Sequence, residues 1–327
     1  MQIQKRRLGK TEIEVTPIGL GSWQFSGNII SRSYWKSSED IKVNDVVKAA
    51  LDGGINWFDT AELYGFGGSE KALSRALTNA GKTNGDVVIA TKWLPALRTA
   101  SSIVKTIDKR LKCLEPFGVD LYQIHFSNTR SSIEDQMDAM ADLLERGTIK
   151  AVGVSNFSDK ELRKAHKRLA ARGFPLASIQ MRYNLLDRNI EKDGVLAAAL
   201  ELGVTVISYS PLQLGLLSGR FHQKPELISK LPRLRKNVLA PMLEPSRTLM
   251  TALEKIAVTH NVTPAQISLN WLINYNGQTV TAIPGVTTGE QAAQNAAAMT
   301  INLSPSEMDE IDMLSRQFCG MRQRSPE

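Results

Sequence analysis

Four side chains able to move a proton follow three successive apolar stretches of the chain. Asp59 ends the stretch 55–58, Tyr64 comes shortly after it, and Lys92 and His125 end the next two stretches. Each residue also has an ordinary structural interpretation. The aspartate could cap a helix, the tyrosine could pack on the surface, the lysine could be a solvated strand end, and the histidine could be a hydrogen-bonded core residue. Their repetition at successive ends favours a shared chemical role.

The four side chains together make a suitable general acid. A phenol has a reference pKa of about 10, and a neighbouring ammonium lowers it by favouring the phenolate. A carboxylate would hold the lysine charged and in place, while an imidazole would orient a carbonyl group and help to move its proton. The set is suited to protonating a carbonyl oxygen near neutral pH. Reduction of that carbonyl also needs a hydride donor, which a cofactor supplies.

The hydrophobic pattern predicts the elements that would bring these residues together. Strands and helices alternate from residue 17 to residue 299, which predicts eight β/α units with strands at 17–21, 55–58, 87–91, 119–124, 151–154, 177–181, 204–209 and 280–283. Continuous apolar strands in such a series are typical of a parallel (β/α)8 barrel, whose functional residues lie at the strand ends. The predicted fold class is therefore an α/β TIM barrel, with an N-terminal β-hairpin at 3–16 and two extra helices at 263–275 and 305–317.

A doubly wound sheet is the alternative for a series of this kind. However, no Gly-x-Gly-x-x-Gly follows a strand, as a dinucleotide-binding sheet of that type would require. No change in composition marks a linker, so residues 1–327 are predicted to form a single barrel domain. One helix is predicted over 191–202, and long loops are predicted over 24–40 and 211–246.

The overall composition excludes several classes of protein. The chain has 327 residues and a net charge of +7. It has no apolar run of the ~18 residues that a membrane span requires and no signal-peptide pattern, so a cytoplasmic location without membrane binding is expected. Its two cysteines predict neither a disulfide framework nor a metal site. The one concentrated basic stretch, 224–236, lacks interleaved aromatics, which favours a small anionic ligand over nucleic acid.

The later strand ends carry groups suited to holding a flat ring and phosphates. Ser155 and Asn156 end the fifth strand and Gln180 lies in the sixth, where amide and hydroxyl groups could hydrogen-bond a carboxamide. Tyr209 ends the seventh strand with an aromatic face. The glycine-rich loop 214–219 offers backbone donors for phosphates, and a helix begins after residue 288, which is a natural anion site. Alone, the glycine-rich loop is equally consistent with an ordinary turn.

Taken together, these segments resemble the aldo-keto reductase family. The resemblance runs from Gly19 to Asn295, and its most specific parts are Asp59-x4-Tyr64, Thr91-Lys92, Ile124-His125, Gly153-Val-Ser-Asn156, Tyr209-Ser-Pro-Leu212 and Ile283-Pro-Gly285. It implies a (β/α)8 barrel enzyme that reduces small aldehydes or ketones with a hydride from NADP(H). Tyr64 would donate the proton, Lys92 and Asp59 would tune it, and His125 would orient the carbonyl.

The resemblance also implies a set of cofactor contacts. The nicotinamide would be held by Ser155, Asn156, Gln180 and Tyr209. The rest of the cofactor would lie along Ser210, Pro211, Leu212, Gly215, Ile283, Gly285, Thr287, Thr288, Gln291, Gln294 and Asn295. Many family members carry a basic residue where this chain has Gly285 and Gln291, and a 2′-phosphate prefers basic partners. NAD(H) is therefore the alternative cofactor, but members that resemble the potassium-channel β subunit share this pattern and bind NADP, which keeps NADP(H) first.

Within the family, a looser similarity to the pyridoxal-reductase-like branch suggests an aromatic aldehyde as substrate. Trp23, Trp93 and Phe126 are the candidate walls of its pocket, and each is equally consistent with a core residue. The second functional hypothesis is a cofactor-binding regulatory subunit of low turnover, as the channel β subunit is. The sequence predicts neither the physiological substrate nor the oligomeric state.

Overall fold

The structure, a computed structural model, describes residues 3–26 and 42–320. Most of the predicted loop 24–40 therefore lies outside the described residues. An antiparallel hairpin of β1 (Arg6–Arg7) and β2 (Glu14–Val15) comes first. Its ladder is shorter than the predicted 3–16, but the hairpin itself is confirmed.

Eight parallel strands follow the hairpin and pair in chain order. Isolated parallel bridges join Ile18 to Ala282 and Gly21 to Gly285, so the first of these strands meets the last and the sheet closes into a barrel. The predicted (β/α)8 barrel is confirmed. Its strands are β3 (Leu20–Gly21), β4 (Trp57–Asp59), β5 (Val88–Trp93), β6 (Val119–Ile124), β7 (Ile149–Ser155), β8 (Leu176–Arg182), β9 (Thr205–Tyr209) and β10 (Val280–Ala282).

Helices cover the outside of the barrel and bury one apolar face against the strands. The longer ones are Val43–Asp52, Gly68–Asn79, Ser101–Leu114, Ile133–Glu145, Asp159–Ala171, Val195–Leu202, Arg247–His260, Pro264–Asn274, Gly289–Ala297 and Pro305–Ser315. The shorter helical segments, some of them 3-10, are Trp23–Ser26, Asn189–Lys192, Gln213–Ser218, Arg220–Gln223, Glu226–Ser229, Arg233–Leu239, Ala240–Met242, Ala298–Thr300 and Arg316–Phe318.

Two differences from the predicted elements have simple physical reasons. The helix predicted over 191–202 is interrupted at Gly194. This residue has a φ of 87°, which is not helical, and it is the N-cap of a separate helix, Val195–Leu202. The predicted loop 211–246 contains several short helices, whose hydrophobic residues Phe221 and Leu239 are fully buried. This segment is therefore a packed part of the structure.

A separate apolar cluster fills the interior of the barrel at its hairpin end. Leu8 and Val15 of the hairpin pack there with Trp57, Leu121 and Ile207 from the strands. The Trp57 indole Nε1 donates a hydrogen bond of 2.9 Å to the Thr16 carbonyl. The hairpin thus closes the N-terminal end of the barrel, and the opposite end, where the strands terminate, is left for the site.

The two extra helices, Pro264–Asn274 and Pro305–Ser315, are confirmed. Each begins with a capping box, made by Thr263 with Gln266 and by Ser304 with Glu307. Arg188 joins the second of these helices to the barrel, because its buried guanidinium lies 2.8 Å from the Asp312 carboxylate.

Candidate active site

Lys92 lies at the centre of the four residues singled out in the sequence. Its buried ammonium donates to the Asp59 Oδ1 at 2.5 Å and to the Thr60 carbonyl at 2.9 Å. The Tyr64 hydroxyl lies 3.5 Å from the same nitrogen. β4 and β5 are adjacent in the barrel, and this adjacency brings the carboxylate and the ammonium together. We refer to Asp59, Tyr64, Lys92 and His125 as the acid cluster.

Asp59 is fully hydrogen-bonded on its second oxygen as well. Oδ2 accepts from the Gln123 Nε2 at 3.1 Å and from the Gln180 Nε2 at 2.9 Å. These contacts fix the carboxylate in one orientation beside Lys92. Gln123 was not predicted from the sequence, although it precedes His125 by two residues and therefore shares its face of β6.

His125 is nearly fully buried and stacks against its neighbour. Its ring is parallel to Phe126 at a centroid distance of 4.5 Å and meets the Tyr64 ring edge-on at 5.9 Å. Burial, and secondarily the Lys92 charge, hold the pKa of His125 well below its usual value. The imidazole is therefore neutral at physiological pH. Its Nδ1 is buried and has no hydrogen-bond partner among the described residues, while the residue lines the cavity described below.

The acid cluster lies at one end of a cavity of about 950 Å³. This volume is at the upper end of the range for small-molecule sites, about 300–1,000 Å³. Trp23, Leu63, Tyr64, His125 and Phe126 line the end near the cluster. The rest of the wall includes Ser155, Gln180, Tyr209, Ser210, Pro211, Leu212, Gly215, Ile283, Gly285, Thr287, Thr288, Gln291, Gln294 and Asn295. The structure thus brings most of the predicted contact residues onto one surface.

Trp93 is the exception among the predicted pocket walls. It is fully buried away from the cavity, and its indole Nε1 donates to the Ser102 hydroxyl at 3.1 Å. Successive side chains of a strand point to opposite faces. Because Lys92 points into the barrel, Trp93 must point outward toward the helices, and the prediction that it lines the pocket is wrong.

Asn156 and Tyr209 form a hydrogen-bonded pair at the ends of β7 and β9. The Tyr209 hydroxyl donates to the Asn156 Oδ1 at 3.0 Å, and the Asn156 Nδ2 donates to the His125 carbonyl at 3.2 Å. Asn156 has a φ of 58°, a conformation that Asn tolerates better than most residues. Ser155 and Tyr209 line the cavity, whereas Asn156, which was also predicted to contact the cofactor, does not.

The segment 210–218 turns sharply along the cavity. Ser210, Gln213 and Leu214 all have positive φ values, as does Gly215 at 89°. Such a conformation is costly for residues other than glycine and is typical of functional loops. Asn184 supports it by donating to the Ser210 carbonyl at 3.0 Å and to the Gln213 Oε1 at 3.1 Å.

The helix Gly289–Ala297 begins at the far end of the cavity. Thr288 caps it by accepting a hydrogen bond from the Gln291 backbone, and the Gln291 Oε1 accepts from the Thr287 backbone N–H at 2.9 Å. Basic side chains reach this cavity from the segment 220–236, namely Arg220, Lys230 and Arg235. Arg233 and Lys236, in the same segment, do not line the cavity.

Gln24 is a cavity residue that the sequence did not single out. It is 5% exposed, and its Oε1 has no hydrogen-bond partner among the described residues. Its amide lies where a Cβ on Gly285 would be, so a side chain at residue 285 would require the Gln24 amide to move. A buried amide oxygen without a partner among the described residues, in a cavity with an aromatic wall and cationic side chains, fits an elongated polar ligand that carries phosphates. A dinucleotide has these properties.

Residues 3–26 and 42–320 contain neither a metal-ligand cluster nor a membrane-spanning helix. No group of His, Cys, Asp and Glu side chains there could hold a metal ion. None of the helices in this part of the chain is long and apolar enough to cross a membrane.

Comparison with known proteins identifies relatives of the whole chain. The model of the Aldo/keto reductase family matches residues 17–316. An uncharacterised oxidoreductase of Mycobacterium tuberculosis is 37% identical over 307 residues, which cover 93% of this chain and 91% of that protein. The chloroplastic pyridoxal reductase of Arabidopsis thaliana is 32% identical over 331 residues, covering 96% and 86%. An aldo-keto reductase of Klebsiella pneumoniae, solved in complex with NADPH, superposes with a TM-score of 0.75 at 26% identity, covering 99% and 98%.

Proposed function

Since the chain belongs to the aldo/keto reductase family and is an enzyme that uses a nicotinamide cofactor, we propose that it reduces aldehydes or ketones to alcohols with Tyr64 as the proton donor. The observation that carries the proposal is the position of the acid cluster. Its half-buried phenol faces the cavity, while the Lys92–Asp59 ion pair behind it is fully buried. A proton donor that faces the substrate and is polarised from behind is what carbonyl reduction requires.

Each member of the cluster has a separate task in this proposal. A bound nicotinamide cofactor supplies the hydride. Tyr64 donates its phenolic proton to the carbonyl oxygen, and the Lys92 ammonium stabilises the phenolate that remains. Asp59 keeps Lys92 charged and fixed in position. The neutral imidazole of His125 lines the cavity beside Tyr64 and orients the carbonyl group.

We propose NADP(H) as the preferred cofactor. Its support is the set of basic side chains in the cavity wall, because Arg220, Lys230 and Arg235 supply the positive charge that the helix start at 287–291 lacks. Burial lowers the pKa of Arg235 to about 10, which still leaves it charged at neutral pH. Ser155 and Gln180 would hold the carboxamide and Tyr209 would stack on the nicotinamide ring.

Titration with NADPH and NADH, followed by protein fluorescence, tests the cofactor proposal. Lys230→Met should weaken NADPH by about tenfold, the value of one charge-assisted contact, and should leave NADH nearly unchanged. The matched control is Lys236→Met, because Lys236 lies in the same segment but does not line the cavity. Tighter binding of NADH than of NADPH to the native protein would reverse the assignment.

The walls near the acid cluster favour an aromatic aldehyde as substrate. Trp23, Leu63 and Phe126 make this end apolar, and Trp23 lies 6.4 Å from the Tyr64 ring. Flat apolar walls prefer flat apolar ligands. One relative is named pyridoxal reductase, and pyridoxal is a flat aromatic aldehyde. We therefore propose a pyridoxal-like or benzaldehyde-like compound as the substrate of this protein.

The deciding experiment mixes the protein with NADPH and a panel of carbonyl compounds that includes pyridoxal and 4-nitrobenzaldehyde. The expected result is loss of absorbance of the reduced cofactor, fastest with the aromatic aldehydes. The second hypothesis is a cofactor-binding regulatory subunit of low turnover. Tight NADPH binding without turnover across the panel would favour that hypothesis over the enzyme.

A further inference from the structure

The loop that carries Tyr64 is joined to its neighbour by an ion pair outside the acid cluster. Glu62 lies between Asp59 and Tyr64, and its carboxylate is nearly fully buried. The Arg98 Nη1 lies 2.9 Å from both carboxylate oxygens. The Leu94 backbone N–H donates to the Glu62 Oε2 at 3.1 Å. Leu94 and Arg98 belong to the loop that follows Lys92.

Glu62 also lies where the chain that follows β4 stops pairing with β5. Beyond the end of β4, the chain continues to pair with β5: the Thr60 N–H donates to the Ala90 carbonyl at 2.8 Å, and the Glu62 N–H donates to the Lys92 carbonyl at 3.1 Å. At the next step the Leu94 N–H would need a backbone carbonyl, but the chain has already turned away toward Tyr64. The Glu62 carboxylate takes the place of that carbonyl and extends the ladder by one hydrogen bond.

Arg98 extends the same connection to a third loop. Its own carbonyl accepts a hydrogen bond of 3.3 Å from the Arg130 N–H, in the loop that follows His125. The His125 N–H in turn donates to the Trp93 carbonyl at 3.1 Å. The loops that follow β4, β5 and β6 are therefore tied together through one ion pair, and these are the loops next to Tyr64, Lys92 and His125.

We propose that the Glu62–Arg98 pair is a positioning device that sets the distance between the Tyr64 hydroxyl and the Lys92 ammonium. That distance is 3.5 Å, which is at the outer limit for a hydrogen bond. A small outward movement of the Tyr64 loop would therefore remove the interaction. Neither Glu62 nor Arg98 lines the cavity, so any effect they have on the reaction is indirect. This inference rests on the proposed role of Tyr64 as proton donor.

The test compares Glu62→Gln, Arg98→Gln, their double variant and Arg98→Lys. Glutamine at residue 62 can still accept from Leu94, but it loses the charged bond to Arg98. We expect kcat to fall by about tenfold to a hundredfold, as misplacement of a catalytic group by about 1 Å does. The carbonyl KM and the dissociation constant of NADPH should each change by less than about threefold, since neither residue contacts a ligand. The double variant should be no slower than the slower single variant, and Arg98→Lys should retain much of the rate because it keeps the charge.

A pH profile distinguishes positioning from plain stabilisation. The Lys92 ammonium favours the phenolate, so moving Tyr64 away from it should shift the alkaline fall of kcat to higher pH. The control is Arg163→Gln, which breaks an exposed Arg–Glu ion pair with Glu201 on the outside of the barrel. It should leave both kcat and its pH profile unchanged.

Two results would overturn the inference. One is that the variants lose thermal stability as Arg163→Gln does but keep the native kcat and pH profile. The other is that kcat and NADPH binding fall in parallel, which would indicate general disruption of the site. If Glu62→Gln does not fold, Arg98→Lys decides, since a rate and profile equal to those of Arg98→Gln would also contradict the inference. Failure of the proposed function is a separate outcome, because the native enzyme itself would then show no NADPH oxidation.

Discussion

The cavity has two regions whose polar groups are hydrogen-bonded to different extents. One is the acid cluster. The other, which we call the nucleotide end, consists of residues 210–218 and 283–295 with the facing Gln24. At the acid cluster, Asp59 accepts from Lys92, Gln123 and Gln180, and each contact lies within 3.1 Å. At the nucleotide end, the backbone has a run of positive φ values and the Gln24 amide oxygen has no partner among the described residues. The protein itself satisfies both oxygens of the Asp59 carboxylate, whereas it leaves the Gln24 amide oxygen without a partner among the described residues.

This difference indicates a division of labour. A proton donor must be held in one geometry before the substrate arrives, because catalysis gains from groups that need no rearrangement. A cofactor site gains affinity instead from groups that are poorly satisfied until the cofactor binds. Changes at the acid cluster should therefore affect rate and stability, and changes at the nucleotide end should affect binding.

The largest expected effect comes from removing the Tyr64 hydroxyl. Tyr64→Phe should lower kcat by about 10²–10⁴-fold, the usual contribution of a general acid. NADPH binding should be unchanged, because the phenol belongs to the acid cluster. Steady-state reduction of 4-nitrobenzaldehyde and a fluorescence titration with NADPH measure the two quantities on the same sample. A native rate in this variant would remove Tyr64 from the mechanism.

Neutralising Asp59 should have the next largest effect, which is a decrease in the free energy of unfolding. Asp59→Asn leaves the fully buried Lys92 ammonium without a counter-charge. Breaking a buried ion pair in this way costs about 3–5 kcal/mol, and urea denaturation should show this loss in the free energy of unfolding. Glu201→Gln is the control, because its exposed ion pair with Arg163 should contribute less than about 1 kcal/mol. Equal losses in the two variants would contradict the picture of a preorganised acid cluster.

The positions of the acid cluster were predictable because parallel strands end at one edge. Asp59, Lys92 and His125 each end an apolar run, and such runs are adjacent in a barrel, so their convergence followed from the pattern alone. The alternation of side chains within a strand was also readable. Applied to Lys92, it places Trp93 on the outside, and applied to His125, it places Gln123 on the inside.

The Glu62–Arg98 pair was not predictable in the same way. Its partners are 36 residues apart and both lie in irregular segments, where no periodicity predicts the direction of a side chain. The contact between Gln24 and Gly285 has the same origin, because it depends on how the first and last strands meet. The sequence therefore predicted the regular part of the barrel. It did not predict the contacts made by side chains in the loops.

The buried His125 of the acid cluster should make the stability of the protein depend on pH. His125 has a folded pKa well below its usual value of about 6.5. Below pH ~6.5 the unfolded chain binds a proton that the native imidazole does not bind, so stability falls as pH falls through this window. The slope from this one group is at most about 1.4 kcal/mol per pH unit. Urea denaturation between pH 5 and 7 should show a shallower dependence in His125→Asn than in the native protein, and identical slopes would contradict a neutral buried imidazole.

The smallest expected effect comes from replacing Gln24, which should raise the stability of the cofactor-free protein and weaken NADPH binding. Gln24 has a buried amide oxygen with no partner among the described residues, and such a group costs about 1–3 kcal/mol. Gln24→Met removes the polar group at similar volume, so the cofactor-free protein should become more stable by about 1 kcal/mol. NADPH should bind more weakly to the variant, because the amide belongs to the nucleotide end. Thermal unfolding with and without NADPH measures both quantities, since a ligand stabilises the native state in proportion to its affinity. A loss of stability in the cofactor-free variant would mean that the amide is already satisfied by the protein, and the contrast between the two ends of the cavity would then be wrong.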